Sequence, residues 1–281
     1  MAIFSLYDLQ PDLPPIKILD VGAADDDPQY PTPYAALVAG GHAHLIGFEP
    51  DLPSCMALNK KHGKPHQFFP LFVGAGGPAR FHKTTHANTG SLFKPNMPVL
   101  DLFSNLSAPM TLVETKEVQT VRLDDIAEID EIDFFKIDVQ GSELDVFKGA
   151  EKALASALIV QTEVEFVEMY ENQPLFGDVD RHLRERGFWF HTFVGMISMT
   201  MKPLQVGEID YGLNQRLWSD AVYVRHLLRL TGLPPVRLRK MAALAHDVYR
   251  SYDLAFHCLK IADELDGDTR AVLYLARLTQ P

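Results

Sequence analysis

Apolar runs that lack polar alternation mark the buried strands of this chain. Residues 16–21, 44–48, 68–73, 132–139 and 157–165 are short, rich in Ile, Leu, Val and Phe, and bounded by Gly, Pro or acidic residues. A strand covered on both faces reads this way, as in a parallel sheet sandwiched by helices. Helical spacing takes over between these runs. It spans 34–39 up to Gly40-Gly41, 52–62 up to Gly63, 142–154 with Leu144, Phe147, Ala150 and Leu154 apolar, and 178–186 up to Gly187. A glycine just past the last periodic residue is a helix stop. Strands alternating with helices predict an α/β fold with a mostly parallel sheet. Residues 79–93 read as a β excursion, 94–108 as a Pro- and Asn-containing loop able to cover a site, and 188–194 and 221–225 as the last strands.

The pattern changes after 226. Gly232-Leu233-Pro234-Pro235 breaks it, and helices are expected over 236–250, 254–264 and 269–278. The division expected is 1–226 for the α/β domain and 227–281 for a small helical extension that resembles one tetratricopeptide helix pair. One such unit is too few for an array, so it should dock on the core, on a second copy or on a protein partner. Arg237, Arg239 and Lys240 are expected on a solvated helix face.

With 281 residues, 47% of them hydrophobic, the chain can bury a large core. Its net charge of −11 argues against a nucleic-acid substrate, which calls for clustered Lys and Arg. No apolar run is long enough for a membrane span, and the start lacks a signal-peptide pattern, so a cytoplasmic location is expected. Cys55 and Cys258, in separate helical segments, read as buried free thiols.

Candidate chemistry gathers where strands end. The run 16–21 leads into Asp20-Val21-Gly22-Ala23, where Gly22 permits close backbone approach by a ligand. The next strand ends in Glu49-Pro50, an acid placed to accept both hydroxyls of a ribose. Val73 and Gly74 open a glycine-rich stretch that could admit a flat adenine face or simply enter a hairpin. The segment Lys136-Ile137-Asp138-Val139-Gln140-Gly141-Ser142-Glu143 is a buried strand running through an acid and a glycine into a helix, which sets Asp138 and Gln140 beside a bound cofactor. Period-2 spacing puts Glu163 and Glu165 on one face of the following strand.

These motifs together resemble the FkbM-type S-adenosylmethionine-dependent methyltransferases. Ile18-Leu19-Asp20-Val21-Gly22-Ala23, Gly47-Phe48-Glu49-Pro50, Gly90-Ser91-Leu92, the 136–143 segment and Trp218-Ser219-Asp220-Ala221-Val222-Tyr223-Val224 match in order, over residues 14–226. The loop after the first motif departs from the family, with Ala24-Asp25-Asp26-Asp27-Pro28 in place of Asn and a second Gly. The acidic run itself reads as a turn and helix-start cap. The resemblance implies a doubly wound, seven-stranded, mostly parallel sheet with an antiparallel last strand. It also implies S-adenosylmethionine as cofactor, and a hydroxyl of a sugar, glycan or natural product as methyl acceptor.

Methyl transfer from a sulfonium needs chiefly alignment, and the hydroxyl must lose its proton to a base or on a metal. Asp138, Glu163, Glu165 and His86 are the candidate groups, with Tyr170 behind them. Asp138 and Glu163 would suit Mg²⁺, yet such acids more often line a pocket as polar groups, so no metal site is assigned. The histidines show no zinc spacing. Two alternatives are a nicotinamide-dependent oxidoreductase and a non-catalytic adaptor with a vestigial site. The first is disfavoured because no Gly-x-x-Gly follows Gly22 and Glu49 lies well beyond the fingerprint's spacing of about 20 residues.

Overall fold

In the computed structural model, residues 4–24, 31–208 and 211–279 are described. The Asp25-Asp26-Asp27 run lies outside them. The chain forms β1 (Ile16–Val21), α1 (Ala35–Ala39), β2 (Ala43–Phe48), α2 (Leu52–His62), β3 (Gln67–Phe69), β4 (Phe72–Val73), β5 (Gly77–Thr84), α3 (Met97–Leu100) and β6 (Leu112–Val121). It continues through β7 (Phe134–Ile137), α4 (Glu143–Lys148), α5 (Glu151–Ser156), β8 (Ile159–Glu165), α6 (Phe176–Glu185), β9 (Phe188–Ser198) and β10 (Arg216–Arg225). It closes with α7 (Pro235–Ala243), α8 (Tyr252–Asp266) and α9 (Arg270–Leu278).

The main sheet has the order β3-β2-β1-β7-β8-β10-β9. Its first five strands are parallel, and β10 runs antiparallel to both neighbours. This is the α/β sheet with an antiparallel end that the motifs imply. Period-2 side-chain alternation divides it into two faces. Leu19, Val21, Phe135, Ile137, Val160 and Val164 pack against Val146, Phe147, Leu154 and Leu183 of the helices α4 to α6. Ile16, Ile18, Phe134, Ile159, Val222 and Val224 point the other way, into a cluster with Leu238, Met241, Leu244, Ala255 and Leu259. The C-terminal helices therefore form one of the layers covering the sheet.

Several elements differ from the pattern expected. The run 68–73 is two strands, because Pro70 has no N–H for a ladder and the Leu71 amide turns back to Phe69 O at 3.0 Å. β4 thus joins a second, three-stranded sheet of order β4-β6-β5. β6 was not foreseen: it is almost wholly exposed and has no apolar face to betray it. The helix expected over 142–154 breaks at Gly149, where a Cβ would overlap the Gly74 carbonyl oxygen. Asp124 then starts α5 by accepting from the amides of Glu151 (3.1 Å) and Lys152 (2.9 Å). β9 and β10 are longer than 188–194 and 221–225. Within 94–108, Leu100, Phe103 and Leu106 are buried against Met169, Tyr170 and Leu217, so this segment has a core of its own.

The basic residues of α7 are not solvated. Arg237 and Lys240 are only 5% and 6% exposed. Both reach the buried Asp133, Lys240 Nζ at 2.7 Å from its Oδ2, and Arg237 also donates to Ile132 O at 2.9 Å. Asp133 accepts in addition from the Lys17 amide at 2.7 Å. Arg239 pairs with Asp266 at 2.8 Å and Asp268 at 3.2 Å. The cause is a buried acid just ahead of β7 that needs cations, which the folded extension provides. The helix expected over 236–250 gives way after Ala243 to a π-type turn, Leu244–Val248. Cys55 and Cys258 are buried free thiols, and among the described residues no helix is long and apolar enough to cross a membrane.

Candidate active site

The site begins where β1, β2 and β7 end side by side. The amides of Gly22 and Ala23 both donate to Phe48 O, at 3.0 and 2.9 Å, and the Asp138 amide donates to Val21 O at 3.0 Å. Gly22 has φ +82°, and a Cβ there would overlap the Asp138 carbonyl oxygen. The residue must therefore be glycine because β7 lies against it, before any ligand is considered.

Asp20 and Lys136 are cross-strand partners. Lys136 Nζ stands 3.4 Å from Asp20 Oδ1 and 3.9 Å from Asp138, while Tyr34 Oη donates to the other Asp20 oxygen. Burial works against the Lys136 charge, but the carboxylates of Asp20, Asp138 and Asp220 outweigh it and raise its pKa above the ordinary lysine value. Asp20, expected beside the cofactor, thus has its carboxylate committed to the protein. Glu49 is different. Its Oε1 accepts from the Asp51 amide at 2.7 Å, and its second oxygen carries no hydrogen bond among the described residues. Burial raises its pKa. Asp51 in turn caps α2 through the Ser54 amide at 3.0 Å, which fixes the chain direction after Glu49-Pro50.

Past β7, Gln140 is held by both ends. It has φ +58°, uncommon for a residue with a side chain. Its carbonyl accepts from Ser91 Oγ at 2.6 Å. Its Nε2 donates to Asp138 Oδ1 (2.9 Å) and Glu163 Oε2 (2.8 Å), and its Oε1 accepts from Tyr170 Oη at 3.0 Å. Glu143 folds back so that its Oε1 accepts from the amides of Val139 (2.8 Å) and Gly141 (3.2 Å). Asp138, Glu143 and Glu163 each bring an oxygen within 4.8 Å of the others. Glu165, two residues along β8, is buried beside them.

Crowding shifts these acids upward. Burial, with Asp138 adding to it, pushes Glu143 up to about 7. Burial again, then the charges of Asp138 and Glu165, lifts Glu163 well above the carboxylate range, and burial with Glu143 and Asp138 does the same for Glu165. Carboxyl groups whose proton affinity is raised in this way can exchange a proton with a bound hydroxyl.

Of the residues expected to act, Asp138 and Glu163 are brought together, as are Gly22, Ala23, Glu49 and Pro50 along the adjoining strand ends. Val73 ends β4, in the second sheet, and Gly74 follows it, packed on Thr120. His86 is exposed, and its Nδ1 caps the turn Ala87–Thr89 by accepting from the Asn88 amide at 3.4 Å. No hydrogen bond joins its ring to the acids among the described residues. Sequence reasoning assigned no role to Lys136, Glu143 or Ser91, although all three stand in the motifs. Gln161 and Asp220 also escaped it: Gln161 Nε2 donates to Asp220 Oδ2 at 2.8 Å, and Tyr249 Oη donates to Gln161 Oε1 at 2.8 Å. Strand parity was the available signal, since positions 20, 136, 161, 163 and 220 share the face of Ile18 and Phe134.

The family model of the methyltransferase FkbM domain matches residues 20–190, more than half of the chain. The chain belongs to the FkbM methyltransferase family. The nicotinamide-dependent alternative is set aside by this membership. Among solved structures, this FkbM-family chain is similar to the methyltransferase FkbM of Methylobacillus flagellatus KT, at 16% identity and TM-score 0.40 over 80% of this chain and 45% of that one. It is also similar to magnesium protoporphyrin IX methyltransferase from Synechocystis PCC 6803, solved with bound SAM (13%, TM-score 0.38, 78% and 76% covered). A TehB-like SAM-dependent methyltransferase from Corynebacterium glutamicum matches at 13% and TM-score 0.36, over 80% and 89%. No curated protein gives a significant match.

Proposed function

We propose that this FkbM-family protein transfers a methyl group from S-adenosylmethionine to a hydroxyl of a sugar, a glycan or another natural product. The observation that carries the reading is the pair Asp138 and Glu163, bridged by Gln140 at the carboxyl ends of β7 and β8 and adjoining the Gly22 turn. That edge is where an open α/β sheet takes its ligands. The residues fit the cofactor: among the described residues Glu49 keeps a half-buried carboxylate oxygen without a hydrogen bond for a ribose hydroxyl, beside the tight turn at Gly22-Ala23. When bound, S-adenosylmethionine supplies an electrophilic methyl group on a sulfonium.

The work left to the protein is to align the acceptor and remove its proton. Glu163 and Asp138 are the groups for the second task, because Gln140 holds them in one geometry and burial raises the proton affinity of Glu163, which takes a hydroxyl proton from its ionised form. Gln140 serves by holding these acids. The acceptor is a small molecule or glycan met away from nucleic acid, in keeping with the net charge of −11.

The test is to incubate purified protein and methyl-labelled S-adenosylmethionine with fractionated hydroxylated metabolites and glycans. Label in a base-stable ether supports the reading. Label on nitrogen, or as a base-labile ester, refutes transfer to a hydroxyl. Failure to bind S-adenosylmethionine at all favours a non-catalytic adaptor. With an acceptor in hand, Asp138→Asn and Glu163→Gln should each lower turnover by about 10² to 10⁴ where the carboxylate is the base.

A further inference from the structure

A row of polar side chains crosses the sheet one step below the acids of the site. Asp20 faces Lys136 in the β1–β7 register, and Lys136 faces Gln161 in the β7–β8 register. One step along, Asp220 stands opposite Glu163 in the antiparallel β8–β10 pair. Side chains so opposed share a face, with Cβ atoms about 4.5 to 5.5 Å apart. A charge on Asp220 therefore raises the proton affinity of Glu163. The other groups that act on this pair are Lys136 and Asp138 from β7 and its end, Glu165 of β8, Glu143 of α4 and Tyr170.

The protonation state of Asp220 is set from outside the sheet. Gln161, 3% exposed, donates from Nε2 to Asp220 Oδ2 at 2.8 Å, and its Oε1 accepts from Tyr249 Oη at 2.8 Å. Tyr249 belongs to the C-terminal extension. Burial, and then the charge of Asp220, raises its pKa well above the ordinary tyrosine value, so the hydroxyl keeps its proton. That single proton has one acceptor among the described residues, the Gln161 oxygen. The amide is thereby fixed with its nitrogen toward Asp220, an arrangement that favours the carboxylate form. The backbone that presents Tyr249 is irregular on both sides: the π-type turn Leu244–Val248 precedes it, and Arg250 after it has φ +54°, uncommon for a residue with a side chain. Such backbone persists where the surrounding contacts over-determine it.

Building on the methyl-transfer reading, we propose that Tyr249 is a positioning residue for the reaction: acting through Gln161, it holds Asp220 as an anion beside Glu163, so that the C-terminal extension takes part in tuning the base. Without the hydroxyl, the Gln161 amide is free to turn over. Its oxygen would then face Asp220, which only the protonated acid can meet by donating. Asp220 would lose its charge, and Glu163 would hold its own proton less tightly.

The test is carboxyl ¹³C NMR on protein labelled in its Asp and Glu side chains, assigned through the backbone and titrated without cofactor or acceptor. In the parent, Asp220 should titrate below Glu163. Tyr249→Phe keeps the ring edge-on to Phe134, and it should raise the Asp220 titration and lower that of Glu163 by about one pH unit or more. Added to Asp220→Asn, the same change should leave Glu163 where the single variant put it, because the charge it controls is already gone. Unmoved titrations in folded Tyr249→Phe, or an equal Glu163 shift in the Asp220→Asn background, overturn the role of Tyr249. If Tyr249→Phe does not fold, Gln161→Leu breaks the link from its other end and must give the same shifts. Should neither fold, the parent decides: Asp220 taking up its proton before Glu163 as pH falls overturns it. With an acceptor in hand, the acid limb of turnover in Tyr249→Phe should move to lower pH along with the Glu163 titration, at unchanged affinity for S-adenosylmethionine. Shifted titrations in protein that never transfers a methyl group leave the link from Tyr249 to Glu163 standing and sink the methyl-transfer reading. Methyl transfer with unshifted titrations sinks the role of Tyr249 alone.

Discussion

A side chain at Gly22 would collide with the backbone of Asp138, so the turn after β1 and the acid at the end of β7 are locked to one geometry. Gly22→Ala must both tolerate φ +82° and push β7 aside. The expected loss is about 2 to 5 kcal/mol of stability in denaturant unfolding, with S-adenosylmethionine binding failing alongside it. A variant of parental stability that merely binds cofactor less well would show that the ligand, not β7, demands the glycine.

Glu49 isolates the cofactor contact from the fold. Glu49→Gln retains an oxygen for the Asp51 amide, so the start of α2 should survive and the unfolding midpoint should hardly move. Losing the charge should weaken S-adenosylmethionine binding by about 1.5 to 3 kcal/mol in calorimetry. Unchanged affinity would remove Glu49 from the ribose site.

The acid cluster makes stability depend on pH. Glu143, Glu163 and Glu165 have folded-state pKa values raised above the ordinary 4.5. The folded state therefore holds protons that the unfolded chain releases. Their contribution is full below about 4.5 and is lost as pH rises through about 7 for Glu143 and through the raised values of the other two. In metal-free buffer, Glu165→Gln should gain stability over the parent at pH about 8, and the gap should close at pH about 5. A gap that widens toward acid would mean that these carboxylates are stabilised as anions.

Asp133 anchors the C-terminal helices through Arg237 and Lys240. Asp133→Asn strands two buried cations and should cost about 3 to 5 kcal/mol. Deleting everything after Arg225 uncovers Ile16, Ile18, Phe134, Val222 and Val224 as well, so that chain should aggregate during size-exclusion chromatography. A monodisperse, cofactor-binding truncation would show that the first 225 residues suffice.

Buried apolar runs are legible because a strand covered on both faces cannot alternate, and so the parallel core of the sheet could be read directly. Glycine stops and strand-terminal acids were legible for a similar reason, each being a local demand of chain geometry. Breaks such as those at Pro70 and Gly149 were harder. Pro70 is a local signal, but Gly149 yields to a Gly74 carbonyl that only the packed second sheet brings close. β6 escaped because an exposed strand leaves no hydrophobic trace.

By itself the sequence determined the α/β class, the order of its motifs and the acids that end β2, β7 and β8, since these follow from periodicity and chain-local chemistry. Tertiary structure alone decided which charges meet. Lys136 finds Asp20 across a strand pair, Gln140 bridges Asp138 to Glu163 from a neighbouring strand, and Arg237 reaches Asp133 from the far end of the chain. His86 was left capping an exposed turn. The physical reason is that a carboxylate's partner, burial and proton affinity are properties of the space around it, and that space is assembled from segments that periodicity cannot align.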